Sequence, residues 1–116
     1  MNIEQYVIEY LSNSAALSGV TVRGNVPHPI QDKFVTVEKT GSGCVNYINT
    51  ATIAVQSWAA SRAEAAALNE TVKALMDAII SNPEISRSEL NSDYNYTDLS
   101  TNHSRYQAVY DIVHFL

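Results

Sequence analysis

Four groups of residues in this chain have types and spacings that could do chemistry. Lys39-Thr40-Gly41 has the spelling of the K-T-G element of penicillin-recognising serine enzymes. Those enzymes also need a serine with a lysine three residues on, and no serine here has one, so a strand running into a turn explains the run. Gly41-Ser42-Gly43 resembles the start of a phosphate loop, but it lacks a third glycine, a following helix and a G-K-[ST] ending. The tip of a hairpin is the better reading. Cys44 could pair with His28, His103 or His114 as an activated nucleophile, yet nothing in the spacing brings a histidine to it. A metal site needs three or four converging ligands. His114 and Asp111 are three apart in an extended run and so face opposite ways. Asp93, Asp98 and His103 share a polar stretch without a recognised ligand spacing, and solvated turn residues are the simpler account. No catalytic, cofactor or metal site is expected.

The totals narrow the class of protein further. At 116 residues the chain makes one domain, residues 1–116, and its apolar share of 46% is enough for a core. No apolar stretch approaches the roughly 20 residues of a membrane span. The start, Met1-Asn2-Ile3-Glu4-Gln5, lacks the basic and apolar parts of a signal peptide, so a soluble cytoplasmic chain is expected. On that expectation the sequons at Asn69, Asn95 and Asn102 carry no meaning, and the single cysteine fits a reducing compartment. With 12 acidic against 7 basic residues, a net charge of −5, the surface is not built to grip nucleic acid. An acidic surface beside DNA would instead let the polymer slide past.

The elements follow from pattern. Asn2 caps a short helix with Gln5 at the capping-box position, and Ile3, Tyr6, Val7, Tyr10 and Leu11 form its apolar face. Val20-Thr21-Val22 reads as a strand. Pro27 and Pro29 then exclude helix and central strand alike. The alternating run Phe34–Lys39 is a clear strand, expected to end at Gly41-Ser42-Gly43, with residues 44–50 a polar connection. Ala51–Trp58 is a second strand, with Ile53 and Val55 facing one way and Trp58 the other. Ser61-Arg62-Ala63-Glu64 is a capping box, and Ala65, Leu68, Val72, Leu75, Met76 and Ile79 make the inner stripe of a helix that Asn82-Pro83 stops near residue 81. Ile85–Leu90 is a weaker strand, residues 91–104 read as polar and turn-rich, and Arg105–Leu116 is a closing strand.

This order predicts an α+β fold, a mainly antiparallel sheet of four or five strands with the long helix on one face and a short N-terminal helix. Tyr106, Val109, Tyr110 and Ile112 leave both faces of the last strand partly apolar. Either the first helix covers the second face, or a partner does.

Two stretches taken together resemble the phage tail terminator (tail completion, head–tail joining) proteins of long-tailed bacteriophages. Phe34–Gly43 is similar to that family's F-V-T-V-x-[RK]-T-G-G strand and turn, with Pro27 and Pro29 upstream. Ile53–Ala65 is similar to its strand ending x-W-A before an A-x-x-L helix, matched by Ala65 and Leu68, and Arg105-Tyr106-Gln107 looks like the start of its last strand. The match covers residues 20–81 and, loosely, 103–116. The family often has glycine where Ser42 stands, and residues 84–102 fall outside the match.

The resemblance implies a structural virion protein, not an enzyme, that joins copies of itself in a ring of six. The ring would be assembled in the host cytoplasm and sit in the virion neck. It would cap the tail tube, meet the head connector and let DNA pass through its lumen without specific binding. Closure of such a ring is a heterologous contact. Residues 40–50 and 91–104 are the expected reach between copies, with Tyr47, Asn49, Tyr94, Tyr96 and Tyr106 as interface candidates, since tyrosine is enriched at interface hot spots. Two rivals share these features: a head–tail stopper or adaptor, and a small bacterial ligand-binding α+β domain.

Overall fold

The computed structural model describes residues 1–97, 99–100 and 103–116. The element order is α1 (Ile3–Ser12), β1 (Thr21–Arg23), β2 (Lys33–Val45), β3 (Ile48–Ala59), α2 (Arg62–Ala78), β4 (Ile85–Asn95) and β5 (Ser104–His114), with 3-10 turns at Ala15–Leu17 and Ile79–Ser81. The five strands form one sheet in the order β1-β2-β3-β5-β4. Every pairing is antiparallel except that of β1 with β2. The α+β architecture expected from the sequence is the one observed.

Both helices start where their caps dictate. The Asn2 side chain accepts from the Gln5 amide at 2.8 Å, and Ser61 Oγ accepts from the Glu64 amide at 3.2 Å. Each cap satisfies a backbone donor that the first helical turn leaves without a partner. Ala65, Leu68, Val72 and Met76 turn the buried stripe of α2 onto β3 and β5. Ile3, Val7 and Leu11 of α1 join the same core, against Val35, Val37, Ile53, Val55, Tyr110 and Ile112. Tyr10 donates its hydroxyl to the Leu75 carbonyl at 2.6 Å, which ties α1 to α2. The two helices therefore lie side by side on one face of the sheet, and α1 does not cover the other.

The sequence pattern misplaces two boundaries. Gly41-Ser42-Gly43 does not end β2, and residues 44–50 are not a connection: the chain continues extended to Val45, turns through Asn46 and Tyr47, and returns as β3. Both turn residues have positive φ, 52° and 66°, the condition of a two-residue type I′ hairpin. Similarly, residues 91–95 are not loop but the second half of β4, which is kinked by irregularities at Ile85/Arg87 and Leu90/Ser92. The separation of Ile53 and Val55 from Trp58 is as expected.

The second sheet face has its own closure. Phe34 and Trp58 are cross-strand partners there, fully or almost fully buried, with rings stacked 5.1 Å apart. The Arg105 guanidinium lies over Trp58 at 4.6 Å, and the His103 ring tilts against Phe34 at 6.4 Å. His103 Nε2 is 2.9 Å from the Gln31 carbonyl, which brings the segment before β2 across this end of the face.

Candidate functional site

Two regions hold the candidate residues, and they lie at opposite ends of the sheet. The first is the hairpin arm. From Glu38 to Val45 every residue of β2 is exposed, and the molecule is drawn out to 45 Å against 26 and 23 Å in the other directions. An isolated hairpin is marginally stable in water. This one is backed by β5, which pairs with β3 as far as Asn49↔His114. The Asn49 amide also donates to the Leu116 carbonyl at 2.9 Å, clasping the arm to the C-terminal segment. At the tip Tyr47 is 94% exposed, between Val45 at 72% and Ile48 at 46%.

Tyr47 is there in spite of its backbone. A residue with a Cβ is disfavoured at positive φ, and glycine is the usual second residue of this turn. The local fold would prefer glycine. A large side chain held in a disfavoured conformation and offered almost wholly to solvent buries little within one copy.

The second region is the far end of the open sheet face. A chain of side-chain hydrogen bonds crosses it from strand to strand. Trp58 Nε1 donates to Thr36 Oγ1 (3.1 Å), Thr36 Oγ1 to Gln56 Oε1 (2.8 Å), Gln56 Nε2 to Gln107 Oε1 (2.6 Å), and Gln107 Nε2 to the Tyr94 hydroxyl. Thr36 and Gln107 are buried, so these partners are required. Tyr94 meets Tyr96 edge-on at 5.7 Å, and Arg105 sits over the Tyr96 ring at 4.3 Å while donating through Nε to the Tyr96 carbonyl at 2.7 Å. Tyr94 and Tyr96 remain 41% and 47% exposed. Tyr106 is different: it points to the helix side opposite Ser57 and is half-buried.

The structure thus groups Tyr47 with Asn49 and, separately, Tyr94 with Tyr96. Sequence reasoning did not single out Thr36, Gln56, Gln107 or Arg105. Their signal was available: each sits at a period-two position beside an inward-facing apolar residue. Behind β4, the Asp93 carboxylate accepts from Asn69 Nδ2 (2.7 Å) and from Lys73 Nζ (2.6 Å), pinning the strand to α2. These hydrogen bonds, Asp93 first and Glu70 second, raise the Lys73 pKa above its ordinary value.

Among the described residues no three of His, Cys, Asp and Glu converge as metal ligands. Cys44 is exposed on the arm. Asp111 and His114 do face opposite ways, Asp111 toward Thr52 and Asn91 on the open face. His114 is buried on the helix side, where burial and then the Lys39 ammonium lower its pKa. Asp93 serves α2, His103 lies against Phe34, and Asp98 and Asn102 lie outside the described residues.

No protein-family model matches the sequence, and comparison with curated proteins gives no match. Among solved structures the chain is similar to one from the virion of a native gene transfer agent particle, with a TM-score of 0.76 at 16% identity. The likeness spans 97% of this chain and 93% of that one. At this identity it establishes a shared fold over nearly the whole length of both chains.

Proposed function

We propose that this chain is a structural subunit of a phage-like particle, one that closes with copies of itself into a ring at the head end of a tail tube and acts as its terminator. The observation that carries the reading is the arm: a long hairpin beyond the core, ending in an exposed tyrosine that the turn itself disfavours. Its natural use is to reach a neighbour. The fold shared with a virion chain of a gene transfer agent, and the motif resemblance in β2, β3 and the start of α2, support the same reading.

The mechanism is geometric. A ring subunit needs two different patches, one on each flank, so that each copy is both donor and acceptor. The arm, with Val45, Tyr47 and Ile48 at its tip, is one such patch, and the flank formed by β4, which runs on to Tyr94 and Tyr96, is the other. One rim of the closed ring then fits the last layer of the tube. The other rim offers no copy of the tube's own surface, so growth stops there. The acidic excess, −5 overall, suits a lumen that DNA must pass without adhering.

The test is growth of the cognate tube protein with and without this chain, followed by electron microscopy. A terminator shortens the tubes in proportion to its concentration and appears as a cap at one end only. Tubes of unchanged length with no cap refute the terminator role. Binding to a head-side connector but not to tubes would assign the chain to the stopper position instead.

A further inference from the structure

The β2 edge is open where it is least defended. On its outer side β2 is paired only at Phe34–Thr36, by the three residues of β1. Beyond that, among the described residues, no strand lies beside Gly41-Ser42-Gly43-Cys44-Val45. Its outward backbone N–H and C=O groups are a template for another strand. Proteins usually blunt such an edge with charge, proline or a strong twist. Here the last five residues of β2 carry neither charge nor proline, and two are glycines that let a foreign backbone approach closely.

The opposite edge of the same sheet, β4, has no strand beside it among the described residues and stands at the matching height; its first half carries the Arg87–Glu89 ion pair between the two irregularities. The strand registers align Gly41, Thr52, Asp111 and Glu89 in one row, and Gly43, Thr50, Val113 and Arg87 in the next. The first half of β4 is therefore level with the free half of β2. Strand direction agrees as well. Because β2, β3, β5 and β4 alternate in direction, a neighbour in the same orientation about a ring axis presents its β4 antiparallel to β2.

We infer that the free half of β2 in one copy pairs with the first half of β4 in the next copy, so that the sheets join edge to edge around the ring. This rests on the ring reading above and specifies how the ring closes. The pairing covers Val45 on one side and Leu90, 45% exposed, on the other. Pairing of two β2 edges with each other would be isologous and would stop at a dimer.

Cys44, the only cysteine of the chain, lies on the proposed seam and provides the test. Three variants, Ser86→Cys, Ser88→Cys and Leu90→Cys, each place a second thiol on β4. Within one copy β2 and β4 are three strand spacings apart, about 14 Å, too far for a disulfide. Under mild oxidation at assembling concentration, at least one variant is expected to give a ladder of covalent oligomers up to the ring number on a non-reducing gel, while the parent gives none. Rings seen by microscopy without a ladder from any variant overturn the seam and leave the ring reading standing. A covalent dimer of the parent through Cys44 also overturns it, in favour of β2 pairing with β2. Absence of both rings and ladders, with tail tubes present, overturns the ring reading too. As an independent check, Ser42→Lys/Cys44→Lys blunts the β2 edge outside the core. It should melt within a few degrees of the parent and assemble at least ten-fold less well, and unchanged assembly would overturn the inference.

Discussion

Replacing Gln56 by leucine tests whether the open sheet face is held by its hydrogen-bond chain. Gln56 stands in the middle, accepting from Thr36 at 2.8 Å and donating to Gln107 at 2.6 Å. Leucine fills most of the space but ends both bonds. Thr36 keeps Trp58 as a donor to its oxygen, yet its own proton loses its acceptor, and Gln107 Oε1 loses its donor. Both groups are buried, at 4% and 8% exposure, so water reaches them poorly. At about 1 kcal/mol net for each bond, with a further part for the stranded groups, the loss is about 2–3 kcal/mol. In a chain of this size that lowers Tm by roughly 10 °C. The assay is thermal and urea unfolding of Gln56→Leu, Gln107→Leu and the double variant. Because the double variant removes both members of a pair, it should be less harmful than the sum of the singles by about 1 kcal/mol. If each single variant costs less than about 0.5 kcal/mol and the two add, the chain of bonds does not hold the face and the reasoning fails.

Three other outcomes are expected. Tyr47→Gly relieves a residue at positive φ and should stabilise the monomer by roughly 0.5–1 kcal/mol in urea unfolding while weakening assembly by light scattering; a variant that assembles normally removes Tyr47 from the interface. The Tyr110 hydroxyl donates toward the Lys73 carbonyl and Asp77 Oδ1, both at 3.2 Å, and burial followed by the Asp77 charge raises its pKa well above the ordinary 10.0. The folded state thus holds this proton more tightly than the unfolded one, so its contribution is complete below pH 10 and is lost as pH rises above it. Tyr110→Phe should cost about 1 kcal/mol at neutral pH and flatten the alkaline fall in a pH series of melts. Ser57 Oγ is buried without a partner among the described residues, so Ser57→Ala should raise stability by up to about 1 kcal/mol in the same assay.

Where the chain's pattern was regular, the fold could be read from it. The capping boxes at Asn2 and Ser61, the three-and-four spacing of α2, and the alternation Phe34–Lys39 all carry one physical signal each, and each element formed as expected. The arm was hidden because its cues conflict. Glycines at 41 and 43 suggest a turn where the chain stays extended, and the real turn, Asn46-Tyr47, lacks the glycine that usually marks a type I′ hairpin. The second half of β4 was hidden for a related reason. Asn91, Ser92, Asp93 and Asn95 are turn formers by local preference, and pairing with β5 overrides them. Of the site, the individual tyrosines were visible, but their division between two ends of the sheet was not, since it depends on the register of strands far apart in sequence.

The proposed closure into a ring is tested most directly by the mass of the chain in solution across a concentration series. Light scattering with negative-stain imaging, repeated with tail tubes present, should find a single closed species, an integral multiple of the 12.8 kDa chain, with a central hole wide enough for duplex DNA. A protein that stays monomeric at every concentration and neither binds nor caps the tubes would contradict the account.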